Sequence, residues 1–92
     1  MELEQLRIFL AVAREGSFTR GARKLYISHS TTSRAISALE EELGVRLLRR
    51  GNRVLGLTEA GALLLEEGER LLRQADALEK RLRETEQQRK EL

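Results

Sequence analysis

The sequence contains no cysteine and no proline, and it has a single histidine. Without cysteine there is no disulfide, no thiolate nucleophile and none of the common structural zinc sites. One histidine cannot build a metal site alone, so no metal or other cofactor is expected. The sequence also lacks a nucleophile–base pair and a phosphate-binding glycine loop. These absences predict that the protein is not an enzyme.

Long apolar runs and aromatic residues are also scarce. No stretch approaches the roughly eighteen apolar residues of a membrane helix, and residues 1–4 lack the basic start of a signal peptide. We therefore expect a cytoplasmic protein that does not enter a membrane. With one tyrosine, two phenylalanines and no tryptophan, binding of RNA or single strands by base stacking is disfavoured.

Acidic residues are missing from two stretches, 16–39 and 43–58. Their basic residues are Arg20, Arg23, Lys24 and Arg34, followed by Arg46, Arg49, Arg50 and Arg53. Residues 1–58 hold ten bases and six acids, a net charge of +4, whereas residues 59–92 hold seven bases and nine acids, a net charge of −2. A basic surface on the first part of a small domain favours a polyanionic partner.

Apolar residues at helical spacing predict an amphipathic helix over residues 3–15, ended by Gly16. Ser17 predicts the N-cap of a short second helix over about 18–25. The expected buried residues of these two helices are Leu3, Leu6, Phe9, Leu10 and Ala13, then Phe18, Ala22 and Leu25.

A third helix is predicted over about 29–43, capped by Ser28 and ended by Gly44. Tyr26 lies in the turn before it and is expected to be half-buried, with Ile27 filling the gap between the helices. The expected inward face of the third helix consists of Thr32, Ile36, Leu39 and Leu43.

Beyond Gly44 the pattern changes. Apolar runs at 45–48 and 54–57 flank the turn pair Gly51-Asn52, which predicts a small two-stranded hairpin. Thr58 then begins a helix that continues to about residue 90, on the order of 50 Å long. We expect residues 1–57 to form one domain and residues 58–92 a separate long helix.

The long helix carries an apolar seam with alternating steps of seven, four, three and four residues. Its members are Leu64, Leu71, Ala75, Leu78 and Leu82, with Gly68 in one layer. Such a seam predicts pairing with a second copy of the chain. The alternative is that the helix folds back on its own domain.

The second and third helices, with their short turn, predict a helix-turn-helix, and the basic hairpin predicts a wing. Short polar groups and one arginine at the start of the third helix can bond base edges or phosphates in a major groove. These candidates are Ser28, His29, Ser30, Thr31, Ser33 and Arg34. Arg20 and Lys24 are general phosphate candidates, and Arg50 is expected either to contact DNA or to pair with an acid.

From Met1 to about Ala77 the sequence resembles the start of LysR-type transcriptional regulators. The matching stretches are Leu6-Arg7-Ile8-Phe9, Gly16-Ser17-Phe18-Thr19-Arg20, Ser33-Arg34, Leu39-Glu40-Glu41-Glu42-Leu43-Gly44 and Leu57-Thr58-Glu59-Ala60-Gly61. The resemblance implies a mainly α fold: three helices, a two-stranded wing and a long dimerisation helix. It also implies a bacterial regulator that binds an interrupted palindrome in double-stranded DNA as a dimer or tetramer, with its long helices antiparallel and Arg53 as the wing arginine in a minor groove.

The sequence departs from the family's pattern at several positions. The family usually has Gln at His29, often Pro at Ser30, Ala at Thr31 and at Gly21, and an apolar residue at Thr32. The family's C-terminal effector-binding domain has no counterpart here, so no small-molecule effector site is expected in this chain. The alternative function is a protein-interaction module whose long helix recruits a partner.

Overall fold

The computed structural model describes residues 1–50 and 55–91, except the side chains of 50, 55, 90 and 91. It confirms a mainly α fold with three helices, a two-stranded antiparallel wing and a long terminal helix. The elements are α1 (Leu3–Glu15), α2 (Phe18–Lys24), α3 (His29–Leu43), β1 (Leu48–Arg50), β2 (Leu55–Leu57) and α4 (Glu59–Glu91). The predicted Gly51-Asn52 turn lies outside the described residues.

Helix α1 is the centre of the core. Leu6, Phe9, Leu10 and Val12 are fully buried, and Ile8 is nearly so, because α2, α3, α4 and β2 all pack against this helix. Burial therefore extends around more of α1 than an amphipathic pattern predicts. The predicted core residue Leu3 is the exception, since it lies in the first turn and is exposed.

The helix ends follow local rules. Gly16 and Gly44 end α1 and α3 with left-handed φ angles of 63° and 71°, which glycine adopts without steric cost. The Ser17 hydroxyl accepts a hydrogen bond from the Arg20 amide at 3.2 Å, and Ser28 caps α3 in the same way. The predicted caps of these three helices are confirmed.

Besides Leu3, two further predicted side-chain positions are wrong. Tyr26 is almost fully exposed, because it takes the left-handed position of the turn with φ 56° while the next residue, Ile27, packs against the core. Leu43, expected on the inward face of α3, is 41% exposed because it lies in the last turn of that helix. Thr32 occupies its predicted inward position and is fully buried.

Gly21 allows α2 to approach α1 closely. A Cβ atom at this position would lie 2.7 Å from Val12 Cγ2 and 2.8 Å from the Val12 Cα. From the sequence, Gly21 is only a departure from the family's usual Ala, and the structure gives its reason in this helix crossing. Ala22, also buried, is the second small residue there.

The base of the wing is joined to the start of α4. The antiparallel register pairs Leu48 with Leu57. The Thr58 hydroxyl donates to the Arg46 carbonyl at 2.6 Å and accepts from the Gly61 amide at 3.0 Å. A Cβ atom on Gly61 would lie 2.0 Å from the Leu47 carbonyl oxygen, so only glycine lets α4 come this close.

The first part of α4 packs along α1. Gly68 and Leu72 are buried there, and Gly68 faces Leu6 of the same chain. The prediction that Gly68 occupies a layer of the intermolecular seam is therefore wrong, because the contact with Leu6 is intramolecular.

Ion pairs border this contact between α1 and α4. Arg7 Nη2 lies 3.0 Å from Asp76 Oδ1, and Arg14 Nε lies 2.9 Å from Glu69 Oε1. The hydrogen bond to Asp76 raises the pKa of the Arg7 guanidinium above its usual value.

Beyond Asp76, α4 continues away from the other elements and extends the molecule to 60 Å. Across the described residues, no helix combines the length and apolarity that a membrane span requires.

Candidate nucleic-acid interface

The first turn of α3 presents a polar surface on a rigid support. His29, Ser30, Thr31 and Arg34 are exposed, and Ser33 is half-buried. On the opposite side Thr32 and Ile36 are fully buried, and Leu39 continues this face into the core. The structure thus brings the predicted α3 contacts together on the solvent side of one helix.

Ser28 and Thr31 stabilise the start of α3 through their hydroxyl groups. Ser28 Oγ accepts from the Thr31 amide at 3.0 Å and donates to Thr31 Oγ1 at 2.9 Å. The Thr32 hydroxyl donates to the Ser28 carbonyl at 2.9 Å. Ser28 therefore serves as the helix cap, which was one of the two roles predicted for it.

The exposed cations of α2 and α3, and Arg49 in β1, differ from the arginines of α1. Both arginines of α1 are paired with acids of α4. Within the described part of the chain, no carboxylate forms an ion pair with the following exposed residues: Arg20, Arg23, Lys24, Arg34 and Arg49. These charges are available to an anionic partner, as the acid-free stretches of the sequence predict.

Arg20 and Lys24 lie on α2 rather than on α3. They line a shallow depression with Arg23, Tyr26 and Glu15. Glu15 is the acid that immediately precedes the first acid-free stretch, so one carboxylate lies among these cations. Their position suits contacts to a phosphate backbone beside α3 better than contacts to bases.

The wing is attached to α3 by Glu40. This side chain is 6% exposed, and its Oε2 accepts from the backbone amides of Leu47 at 2.8 Å and Leu48 at 3.3 Å. Its Oε1 lies 3.7 Å from Arg46 Nη1. Glu40 therefore fixes β1 relative to α3. Of the predicted wing contacts, Arg50 lies in β1, and its side chain and the whole of Arg53 are outside the described residues.

Sequence reasoning missed the structural role of Glu40, which it named only within the family stretch Leu39-Glu40-Glu41-Glu42-Leu43-Gly44. A signal was present, because Glu40 lies four residues after Ile36 and so falls on the buried face of the helix. An acid on a buried face has to find hydrogen-bond donors. Here the donors are backbone amides of the segment that leads into β1.

The predicted seam residues of α4 fall into two groups. Leu64 and Ala75 are half-buried, and Leu64 packs against the core cluster. Leu71, Leu78 and Leu82 are 41%, 54% and 61% exposed.

Among the described residues there is no group of three or more His, Asp or Glu side chains that could hold a metal ion.

Comparisons with known proteins agree with this geometry. Residues 3–62 match the family described as bacterial regulatory helix-turn-helix protein, lysR family. The chain is 50% identical over 72 residues to the HTH-type transcriptional regulator ClcR of Pseudomonas putida, an alignment that covers 78% of this chain and 24% of ClcR. The chain thus spans about a quarter of the length of that curated relative.

Solved structures are similar over nearly the whole chain. The BenM DBD in complex with catB site 1 DNA superposes with a TM-score of 0.88 at 42% identity, covering 91% of this chain and 93% of that chain. The CbnR DBD in its DNA complex gives a TM-score of 0.87 at 40% identity, covering 92% of this chain and 98% of that chain. The chain belongs to the lysR family of bacterial regulatory helix-turn-helix proteins.

Proposed function

We propose that the protein is a sequence-specific transcriptional regulator that binds an interrupted palindrome in double-stranded DNA as a dimer. In this proposal α3 enters the major groove, and the wing (β1, β2 and the residues between them) reaches the adjacent minor groove. The observation that carries the proposal is the exposed polar first turn of α3 together with nearby exposed cations that form no ion pair among the residues that the structure describes. DNA complexes of the similar BenM and CbnR domains support it.

Residues 1–57 are proposed as the DNA-binding domain and residues 58–92 as the dimerisation helix, although the first part of α4 also completes the core. The exposed leucines Leu71, Leu78 and Leu82 support pairing through α4, because large apolar side chains on one helix face favour burial against a second helix. By family resemblance the two helices run antiparallel, which places the two heads at opposite ends. Half-buried Leu64 and Ala75 are proposed to border that contact.

The proposed role is regulatory and involves no catalytic step, as the regulator names of its relatives support. As a proposed bacterial DNA-binding regulator, the protein is proposed to act in the cytoplasm. No cofactor is needed for the proposed binding.

Binding to selected duplexes tests this function. Duplexes are selected from a random pool by the wild-type chain, and affinity is then measured between about 50 and 200 mM salt. Affinity should fall steeply with salt, with a slope of about −0.9 for each phosphate contact. Duplex binding that does not weaken with salt would favour the alternative of a protein-interaction module, and salt-dependent binding that selects no sequence would contradict a sequence-specific role.

Arg34→Ala should reduce affinity for the selected duplex by about tenfold to a hundredfold, the range expected for an arginine that contacts a base or a phosphate. Arg81→Ala is the matched control, because it removes the same charge from an exposed position on α4. Equal effects of the two substitutions would show that net charge, and not α3, determines binding.

Arg53 is proposed to follow a minor groove, as the family resemblance and the acid-free stretch support. Arg53→Ala should weaken binding to all duplexes similarly and should reduce the magnitude of the salt slope by about one. A change confined to the preferred base at one position would contradict a wing role for this residue.

A further inference from the structure

Two aromatic rings meet where α2 and α3 begin. Phe18 is the first residue of α2 after its cap Ser17, and His29 is the first residue of α3 after its cap Ser28. The ring centroids lie 5.6 Å apart, and the ring planes are tilted by 43°. This distance lies within the range of interacting aromatic pairs.

The two rings differ in how they are held. Phe18 is half-buried and packs against the hydrophobic core, so its ring is fixed by the fold. His29 is exposed, and Phe18 is the ring that it contacts. A contact with a fixed ring restricts the rotamers of an otherwise free imidazole. Restricting a side chain before it binds reduces the conformational entropy that binding would otherwise remove.

We propose that Phe18 is a positioning residue that holds the His29 imidazole in the orientation with which it reads a base. The inference rests on the proposed function, in which the first turn of α3 lies in the major groove. Phe18 itself faces the core and touches no base in this arrangement. It acts through His29, and so it affects selectivity rather than general affinity.

The chemistry of imidazole indicates which base is read. An imidazole ring presents at least one N–H donor, and guanine offers two adjacent acceptors, N7 and O6, at its major-groove edge. A donor held in one direction can bond either acceptor of guanine, whereas adenine offers one acceptor beside a donor, and cytosine offers a donor. With an N–H directed at the groove, guanine is therefore the base that we assign as the partner of His29.

The test compares selectivity in four proteins: wild type, Phe18→Leu, His29→Ala and the double variant. Each is titrated with duplexes that differ only at the base pair selected by His29. Phe18→Leu keeps an apolar side chain in the core but removes the ring. It should reduce discrimination for guanine by about twofold to tenfold, the range that the loss of one aromatic pair allows. In the His29→Ala background the same substitution should leave discrimination unchanged.

Two further variants separate positioning from a structural role. Phe18→Tyr keeps the ring and should retain wild-type discrimination. Leu25→Ala shortens another half-buried side chain that packs against the core, so it should lower the melting temperature without changing base preference. If Phe18→Leu only weakens all duplexes equally, as Leu25→Ala would through unfolding, the proposal is wrong.

The free protein offers an independent measurement. Because the chain has a single histidine, its imidazole proton resonances are assigned without ambiguity in an NMR spectrum. Phe18→Leu should shift these resonances through loss of the ring current, and Phe18→Tyr should shift them much less. If wild type selects no sequence, the proposed function fails. If wild type is selective and Phe18→Leu alters neither the resonances nor the discrimination, only the role of Phe18 fails.

Discussion

The two halves of α4 have the same secondary structure but different surroundings. In the proximal segment, residues 59–76, Gly61, Gly68 and Leu72 are buried against the rest of the chain. In the distal segment, residues 77–91, every side chain that the structure describes is exposed. A regular helix therefore serves as part of a core at one end and as a free arm at the other.

The difference also appears around the circumference of the helix. At about 100° per residue, Gly61, Gly68 and Leu72 fall within an arc of roughly 40°. Leu71, Leu78 and Leu82 fall within a second arc, roughly 80° from the first. The two arcs indicate two separate apolar surfaces: one packs against α1 and the wing, and the other is available to a second chain.

Disrupting the second surface should have the largest effect. Leu71→Asp combined with Leu78→Asp places two charges where two leucines, each worth about 1.5–3 kcal/mol when buried, are proposed to pair. Sedimentation at tens of micromolar should change from dimer to monomer, while circular dichroism shows that the head remains folded. A wild-type chain that sediments as a monomer under these conditions would refute pairing through α4.

Disrupting the packing of the proximal segment at Gly61 should have the second-largest effect. Gly61→Ala brings a Cβ atom against the Leu47 carbonyl, which is backbone and cannot rotate away, so the free energy of unfolding should fall by about 3 kcal/mol. Gly68→Ala is the control, because its Cβ would meet the end of the Leu6 side chain at 2.8 Å and no backbone atom. The buried Leu6 side chain has to shift to accept it, so this change should cost less free energy of unfolding than Gly61→Ala. Equal effects of the two substitutions would contradict the close approach at Leu47.

A pair of leucine truncations compares the two arcs directly. Leu72→Ala should lower the free energy of unfolding by about 2–3 kcal/mol, because Leu72 is 7% exposed. Leu82→Ala should change it by less than about 0.5 kcal/mol when the protein is monomeric, because Leu82 is 61% exposed. Urea unfolding at low protein concentration measures both. A large loss for Leu82→Ala under those conditions would mean that the distal segment packs within its own chain.

The ion pairs at the edge of the proximal segment should have the smallest effect. The side chains of Arg7 and Asp76 are 36% and 59% exposed, so their pair should contribute less than about 1 kcal/mol. Arg7→Ala should therefore lower the melting temperature only slightly, and the difference from wild type should shrink in high salt. An effect that does not depend on salt would assign the loss to packing of the arginine stem.

Features that depend on neighbouring residues in the sequence could be predicted, and those that depend on distances between elements could not. The bounds of α1 and α3 and the serine and glycine caps follow from short patterns, and the structure has them. The role of Gly21 at a helix crossing, and of Gly61 against a carbonyl, becomes visible only when two elements are placed in space.

The candidate site likewise has features that could be predicted from neighbouring residues and features that depend on how the helices are placed in space. The exposed turn from His29 to Arg34 could be predicted from helical periodicity and a cap. The contact between Phe18 and His29 could not, because it joins two helix starts eleven residues apart in a geometry that the turn determines. Tyr26 shows the limit of residue type as a guide, since an aromatic side chain favours burial and the left-handed turn position leaves it in solvent.

Because α4 is continuous, the number of residues between its two segments determines how far the distal leucines are rotated about the helix axis relative to the head. One uninterrupted helix of 33 residues joins the packed surface to the leucines of the distal segment. Inserting one residue between the two segments would turn Leu78 and Leu82 by about 100° relative to Leu71 and the head, and inserting seven would turn them by only about 20° while adding about 10 Å. In the proposed dimer, an insertion of a whole heptad would therefore lengthen the arm and keep the pairing surface aligned, whereas a single-residue insertion would disrupt that surface.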